Sequence, residues 1–270
     1  MERSLGLMCG AGVLPARMAA EARRQGWRVI AFAFGDATGV AGQAARTIPS
    51  RITDVGAVLA GLRQEGVSAA LFCGKFWMRD VLTAGEPDAS AAGIAARAPS
   101  LADADLARVV LATLGEMGIT VLDQRAFIGD WLAGSGCWSA REPTPEEWED
   151  VRRGIAVVRR LAESRIGQTV VLKRGVPTAV EAIEGTTEAI RRGTALAGPG
   201  AVVVKGVAPD HDYRFDTPTI GPETLEAAAA GGASVVAVEA GRVLILEKDV
   251  TVRIADRASI ALVSVDAADA

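Results

Sequence analysis

The sequence predicts an α/β protein with two domains, and three observations support this class. Half of the 270 residues are apolar but only 4% are aromatic, a composition that suits helices packed on parallel sheet. Short apolar strand patterns alternate with helical patterns through the first half, which is typical of right-handed βαβ units. A chain of this length can bury a sizeable core and form one large or two modest domains.

The first half predicts a Rossmann-like domain with a parallel sheet. Strands are predicted at residues 4–9, 28–34, 67–73 and 119–122, each nearly continuous in apolar residues. A first helix is predicted from Pro15 to Arg24. Two more are predicted after caps at Asp54 and Ser100.

The second half predicts a mixed α/β domain. A loose Gly- and Ser-rich stretch at 134–143 suggests a first domain over residues 1–134, a linker over 135–143 and a second domain over 144–270. Thr144 opens a helix with a capping box and proline at the first helical position. The later predictions are strands at 169–173, 176–183, 201–204, 235–239, 243–246 and 260–265, with helices at 184–196, after Pro222 and at 248–257.

Charge and cysteine content exclude several classes of function. The net charge of −4 comes without a basic block, which argues against nucleic acid as a partner. Three cysteines without CxxC spacing do not predict a disulfide framework or a zinc site. The N-terminus lacks a secretion signal, and no apolar run approaches the roughly 20 residues of a membrane span. We therefore expect a soluble, cytoplasmic protein.

A glycine turn follows the first strand and predicts a ligand site. Gly10, Ala11 and Gly12 allow close backbone approach, and a phosphate can be received at the helix N-terminus. Pro15 stands where a dinucleotide fingerprint has its third glycine, while Asp36 ends strand two and suits ribose hydroxyls. A dinucleotide site, a general nucleotide site and a plain turn remain open.

Further polar residues follow other strands or begin helices. Lys75 ends a strand at the same sheet edge, where it either meets an anionic ligand or is simply exposed. Asp103 and Asp105 lie early in a helix, where carboxylates favour the dipole with or without a function.

The Glu-Gly-Thr turn at 184–186 is a second candidate phosphate site. Its backbone amides and the Thr186 hydroxyl suit a phosphate at a helix start. Glu184 is equally explained as a cap or a solvated turn residue. Gln168 is a further candidate polar contact, and Glu181 ends the neighbouring strand.

The segment 205–222 is the densest in functional groups. It contains Lys205, Arg214, the only histidine, His211, and three carboxylates, Asp210, Asp212 and Asp216. Carboxylates suit Mg²⁺, and the cations neutralise phosphate oxygens, so the set predicts phosphoryl transfer or pyrophosphate hydrolysis. The alternative is a salt-bridged loop. A hydrolase triad built on the lone histidine lacks partners.

Several motifs resemble the LpxI-type UDP-2,3-diacylglucosamine pyrophosphatases of lipid A biosynthesis, nearly from end to end. The motifs are LGLMCGAGVLP (5–15), ADADLARVV (102–110), REPTPEEW (141–148), IGQTVVL (166–172), AVEAIEGT (179–186) and RFDTPTIGPETLE (214–226). The last two are the most specific.

The resemblance implies a hydrolase of a Gram-negative cell that uses Mg²⁺. It would convert UDP-2,3-diacylglucosamine to UMP and 2,3-diacylglucosamine 1-phosphate (lipid X), with water attacking the β-phosphorus. The first domain would hold the uridine nucleotide, and the second the acylated sugar phosphate and the catalytic aspartate, with the site between them. Such an enzyme is cytoplasmic, or peripheral at the cytoplasmic face of the inner membrane.

The resemblance also implies roles for particular residues. Asp216, Arg214 and Lys205 would be catalytic, with Asp216 also a metal ligand. The implied substrate-binding residues are Gly10, Ala11, Gly12, Leu14, Pro15, Lys75, Asp103, Gln168, Glu184, Gly185, Thr186, Thr219 and Gly221.

Two departures from the family pattern keep other functions open. Ala104 and Thr187 stand where the family tends to have aspartate. One alternative is therefore a paralogue that binds a nucleotide-sugar lipid without turnover. Independently of these departures, the glycine turn keeps open an NAD(P)-dependent oxidoreductase built on Gly10, Gly12 and Asp36. Oligomeric state is also open, with a homodimer as one alternative.

Overall fold

The computed structural model describes residues 3–36, 39–128 and 131–266. The chain divides into two compact units, one of Met1–Gly129 with Asp212–Asp216 and one of Asp130–His211 with Thr217–Ala270. By chain order, the sequence prediction assigned Asp212–Asp216 to the second domain. In the structure this short segment clusters with the first unit, because its aromatic side chains pack there.

The first unit contains a five-stranded parallel sheet in the order β3-β2-β1-β4-β5, which confirms the predicted fold class. The strands are β1 Ser4–Cys9, β2 Arg28–Ala33, β3 Arg46–Pro49, β4 Ala69–Cys73 and β5 Thr120–Val121. The helices are α1 Leu14–Arg24, α2 Val55–Gln64, α3 Met78–Leu82, α4 Ala89–Arg97 and α5 Asp103–Glu116. The sequence did not predict β3, α3 or α4; β3 has no fully buried residue and hence no continuous apolar run.

Two predicted helix caps have different outcomes. Asp54 is the N-cap of α2 and accepts a hydrogen bond from the Ala57 N–H, as predicted. The prediction that Ser100 caps α5 is wrong, because the N-cap is Ala102. The Ser100 hydroxyl instead accepts from the Ala102 N–H at 3.1 Å and donates to Asp105 at 2.6 Å.

The second unit contains a six-stranded mixed sheet in the order β6-β13-β11-β9-β7-β8, beside a two-stranded pair β10-β12. The strands are β6 Gly136–Cys137, β7 Thr169–Lys173, β8 Val176–Val180, β9 Val202–Lys205, β10 Thr219–Ile220, β11 Val235–Glu239, β12 Leu244–Ile245 and β13 Ala261–Val265. The helices are α6 Pro145–Glu163, α7 Thr186–Ala197, α8 Pro222–Ala230 and α9 Lys248–Arg257. The predicted capping box at Thr144 is present.

Both faces of the larger sheet are covered, which explains its continuous apolar strands. On one face, residues of α6 such as Val151 and Ile155 pack with Val204 in one core cluster. On the other face, Ile190 and Leu225 pack with Val203 in a second cluster. In the part of the chain that the structure describes, no helix is long and apolar enough to cross a membrane.

Gly154 permits the close packing of α6 on β9. A Cβ at this position would overlap Cγ2 of Val204 and would lie 2.9 Å from its Cβ. We expect Gly154→Ala to lower the free energy of unfolding by about 1–3 kcal/mol through overpacking. Gly115→Ala, in α5 with nothing within 4 Å, should instead stabilise by up to about 1 kcal/mol. Urea denaturation checks both, and equal effects would contradict this packing account.

Candidate active site

Glycines allow close backbone packing at the carboxyl edge of the first unit's sheet. The strand order reverses between the parallel neighbours β1 and β4, and ligands bind at such a switch point in doubly wound sheets. The Ala11 N–H donates to the Lys75 carbonyl at 2.9 Å, and the Lys75 N–H donates back at 2.9 Å. A Cβ on Gly10 would lie 2.5 Å from that Lys75 carbonyl oxygen. The structure thus brings together the predicted residues Gly10, Ala11 and Lys75.

The turn into α1 leaves helix amides without a side-chain cap. Gly12 has φ +97°, and its N–H donates to the Asp36 carbonyl at 3.0 Å. Leu14 and Pro15 are buried at the start of α1, whose N-cap makes no side-chain hydrogen bond. Pro15 packs where the dinucleotide fingerprint has glycine, so the turn fits a general nucleotide phosphate better than a dinucleotide.

Two aromatic residues anchor Asp212–Asp216 on the first unit. Tyr213 is buried, the Arg125 guanidinium lies 4.4 Å from its ring centroid, and its carbonyl accepts from the Gln124 N–H at 3.0 Å. Phe215 packs on Phe72 with ring centroids 4.9 Å apart. These anchors fix the backbone immediately before Asp216.

Arg214 forms a two-pronged ion pair with Asp212. Its Nε donates to Oδ1 at 2.9 Å and its Nη2 to Oδ2 at 2.7 Å, and this pairing raises the pKa of Arg214. The alternative of a salt-bridged loop therefore holds for these two residues. This pairing uses the Nε and Nη2 side of the guanidinium, and an arginine has five N–H donors in all.

Asp103 and Asp216 form an electrostatically coupled pair. Asp103 lies in the first turn of α5. Both Asp103 and Asp216 are exposed residues. Desolvation by the surrounding protein raises the pKa of the Asp103 carboxyl, and the negative charge of Asp216 raises it further. A carboxyl whose ionisation is opposed by desolvation and by a neighbouring negative charge, as for Asp103, is a common feature of functional sites.

The raised pKa of Asp103 predicts that Asp103→Asn stabilises the folded chain in a pH-dependent way. Between the ordinary Asp pKa of about 3.9 and the raised value, the folded chain binds more protons than the unfolded chain, so stability falls as pH rises. In buffer that contains a chelator, we expect the variant to unfold at a higher temperature than wild type at pH 7. This gain should shrink toward pH 4 and be smaller in an Asp216→Asn background. A variant less stable than wild type at pH 7 would contradict this.

Lys205, the last residue of β9 in the second unit, is a buried cation beside the start of α7. The residue is only 7% exposed, and its ammonium donates to the Thr186 hydroxyl at 2.7 Å. Within residues 3–36, 39–128 and 131–266, the structure shows no carboxylate paired with it. An ammonium buried in this way calls for an anion, since burying an unpaired charge is costly.

Backbone amides of α7 begin beside this lysine. Gly185 is the N-cap, has φ +85° and makes no side-chain cap, so the amides that follow remain suited to an anion. The structure thus brings together the predicted residues Lys205, Gly185 and Thr186.

Other predicted site residues support the neighbouring backbone. Burial opposes ionisation of Glu184, but hydrogen bonds from Arg192 and the Ala182 N–H outweigh it and lower its pKa. The backbone carbonyl of Gln168 accepts a hydrogen bond from the Gly206 N–H at 3.0 Å. Thr219 donates to the Thr217 carbonyl at 2.7 Å, and the Gly221 N–H donates to Thr224 at 3.3 Å.

The predicted cluster of three loop carboxylates is wrong. No group of three or more His, Cys, Asp or Glu able to hold a metal exists among the described residues, and Asp212 is engaged by Arg214. Mg²⁺, however, often takes only one or two protein carboxylates and keeps several waters. The pair Asp103 and Asp216 fits this smaller donor set, because a divalent cation would relieve their mutual repulsion.

Sequence reasoning missed the importance of two glutamates. Glu181 Oε1 accepts a hydrogen bond from the Thr186 hydroxyl at 2.9 Å. Glu239 is 1% exposed and accepts from the Val207 N–H at 3.0 Å and from Arg159 at 3.2 Å, which fixes the chain just after β9. A glutamate that ends an apolar strand was the available signal for both.

The family models and a curated relative agree on one family. The family model for the LpxI N-terminal domain matches residues 4–131, and that for the LpxI C-terminal domain matches residues 134–263. The chain is 30% identical over 281 aligned positions to UDP-2,3-diacylglucosamine pyrophosphatase LpxI of Caulobacter vibrioides, covering 98% of each protein.

Solved structures are much more distant. N5-carboxyaminoimidazole synthetase of Staphylococcus aureus, complexed with ADP, is 14% identical with a TM-score of 0.26, covering 64% of this chain and 38% of that one. N5-carboxyaminoimidazole ribonucleotide synthetase of Thermotoga maritima is 13% identical with a TM-score of 0.24, covering 65% of this chain and 39% of that one. At these values the structural similarities carry no argument about function.

Proposed function

The chain belongs to the LpxI family, and from this premise we propose that it hydrolyses the pyrophosphate bond of UDP-2,3-diacylglucosamine. The products would be UMP and 2,3-diacylglucosamine 1-phosphate, as in lipid A biosynthesis. The curated relative's name supports the substrate. The observation that carries the proposal is the buried ammonium of Lys205 beside the uncapped start of α7, because this arrangement suits a phosphate.

Each unit would bind one part of the substrate. In the first unit, the Gly10–Gly12 turn, Lys75 and the start of α1 would hold the uridine nucleotide. In the second unit, Lys205 and the backbone at Gly185 and Thr186 would hold the phosphate of the acylated sugar. Arg214 would contact the phosphates through its Nη1 group, while its Nε and Nη2 hold Asp212.

The proposed chemistry is attack by water on the sugar-side (β) phosphorus. The water oxygen bonds to that phosphorus, the bond to the bridging oxygen breaks, and UMP leaves with the bridging oxygen. Asp216 would accept the proton from the attacking water, as a general base. Lys205 would stabilise the negative charge that develops on the phosphoryl oxygens.

Magnesium is proposed as the cofactor, with Asp103 and Asp216 as the residues that would hold it. When bound, Mg²⁺ would neutralise phosphate charge and help orient the substrate. We expect Mg²⁺ to raise the melting temperature of the wild-type chain in chelator-stripped buffer. Asp103→Asn/Asp216→Asn should lose this shift, whereas an undiminished shift would remove these residues as ligands.

Product release tests the function against both alternatives. The purified protein with UDP-2,3-diacylglucosamine and Mg²⁺ should release UMP, and EDTA should stop this release. Tight substrate binding without UMP would favour the non-catalytic paralogue. Tight binding of NAD⁺ or NADP⁺, with no response to UDP, would favour an oxidoreductase.

We also propose that the protein works in the cytoplasm and meets its acylated substrate at the inner membrane surface. Its two acyl chains would keep such a substrate in a bilayer. Co-sedimentation with vesicles containing UDP-2,3-diacylglucosamine, but not with vesicles lacking it, is the expected result. Equal sedimentation with both would point to binding of lipid in general.

A further inference from the structure

We propose that Glu181 is a positioning residue that directs the Lys205 ammonium toward the phosphate. It would act through Thr186, whose hydroxyl lies between the glutamate and the lysine. This inference rests on the proposed function for the identity of the ligand, a phosphate ester. The orientation of the three side chains is a property of the protein alone.

The three side chains form one continuous hydrogen-bonded chain. Lys205 Nζ donates to Thr186 Oγ1 at 2.7 Å, and that hydroxyl donates to Glu181 Oε1 at 2.9 Å. The other oxygen of Glu181 accepts from the Gln168 N–H at 3.4 Å, so the carboxylate is held at both ends. The residues come from the end of β9, the start of α7 and the turn after β8.

Counting donors changes the role of Thr186. A hydroxyl has one O–H donor, and that of Thr186 is used in the hydrogen bond to Glu181. The hydroxyl therefore serves Lys205 as an acceptor and has no proton left for a phosphate. The sequence had suggested that this hydroxyl binds the ligand directly, whereas the geometry makes it a support for the lysine.

The same count leaves donors on Lys205 for a ligand. An ammonium has three N–H donors, and the Thr186 hydroxyl takes one of them. A direct ion pair between Lys205 and Glu181 would place a carboxylate where the phosphate has to bind and would repel it. The Thr186 hydroxyl orients the lysine and separates its ammonium from the Glu181 carboxylate.

The first test uses NMR of the lysine ammonium groups in the full chain. The protein has four lysines, Lys75, Lys173, Lys205 and Lys248, and only Lys205 is buried among the described residues. A ¹⁵N-lysine sample should show a slowly exchanging Lys205 signal that shifts on addition of inorganic phosphate. Thr186→Val should lose that protection, and Thr186→Ser should keep it.

Thr187→Val is the matched control, because the neighbouring hydroxyl donates to Glu223 instead. It should leave the Lys205 signal unchanged. A protected Lys205 signal that is the same in wild type, Thr186→Val and Glu181→Gln would overturn the proposal.

The second test is a kinetic comparison of single and double variants. We expect Glu181→Gln and Thr186→Val each to lower kcat/KM about 10- to 100-fold, as for loss of a hydrogen bond to a charged group. The double variant should have a kcat/KM no lower than that of the less active single variant, since both residues act through Lys205. Thr186→Ser should recover most activity. Wild-type rates in both single variants would refute the positioning role. A loss of kcat/KM in the double variant equal to the product of the two single losses would also refute it.

The two proposals fail in different ways. If wild type releases no UMP but the Lys205 signal depends on Thr186 and Glu181 as expected, the proposed function is wrong and the positioning role stands. If wild type releases UMP and the single variants match it, the positioning role is wrong and the function stands.

Discussion

Asp216→Ala is expected to lower the rate of UMP release by about 100- to 10,000-fold, the usual contribution of a general base. The variant should still bind UDP-2,3-diacylglucosamine, because Lys205 and the start of α7 remain intact. Single-turnover kinetics and equilibrium binding separate the two effects. Wild-type turnover in this variant would end the assignment of Asp216.

Asp210→Asn is the comparison for Asp216. Asp210 is an exposed carboxylate of the same stretch, and the structure gathers no metal-binding group of three around it in the described residues. We expect its rate to stay within about 2-fold of wild type. An equal loss in both variants would restore the interpretation of the whole stretch as a carboxylate cluster.

Lys205→Met is expected to separate activity from stability. Loss of the cation should lower kcat/KM about 100- to 1,000-fold, as for removal of one donor that stabilises a transition state. The free energy of unfolding of the unliganded protein should stay equal or rise, because an apolar side chain replaces a buried cation that has no carboxylate partner in the described structure. Such opposite changes are typical of a site kept for function.

Lys173→Met provides the opposite control. Lys173 Nζ donates to the Ala197 and Pro199 carbonyls at 3.0 and 2.7 Å, which ties β7 to the end of α7. This variant should lose stability and retain kcat/KM. A stability loss in Lys205→Met as large as that in Lys173→Met would mean that Lys205 is structural. Urea unfolding and steady-state kinetics on both variants provide the comparison.

Much of the fold follows from local patterns in the sequence. Apolar runs predicted most strands, and because carboxyl ends of parallel strands share an edge, they also predicted that Gly10 and Lys75 lie near each other. Thr144 and Asp54 were predictable as caps, since capping uses residues within one turn. The short strand β3 was not, because its burial is partial.

The supports of the site depend on contacts between distant parts of the chain. Nothing local in the sequence shows that Phe215 packs on Phe72 or that Tyr213 meets Arg125, so chain order assigned Asp216 to the wrong compact unit. Likewise, a threonine at a helix start suggests a phosphate ligand. Only the position of Glu181 shows where its proton goes.

Hydrolysis in ¹⁸O-labelled water tests the central claim most directly. The wild-type chain, UDP-2,3-diacylglucosamine and Mg²⁺ would be combined in labelled water, and both products analysed by mass spectrometry. Attack on the sugar-side phosphorus predicts one ¹⁸O in 2,3-diacylglucosamine 1-phosphate and none in UMP. Label in UMP would contradict the proposed attack, and the absence of both products would contradict the proposed function itself.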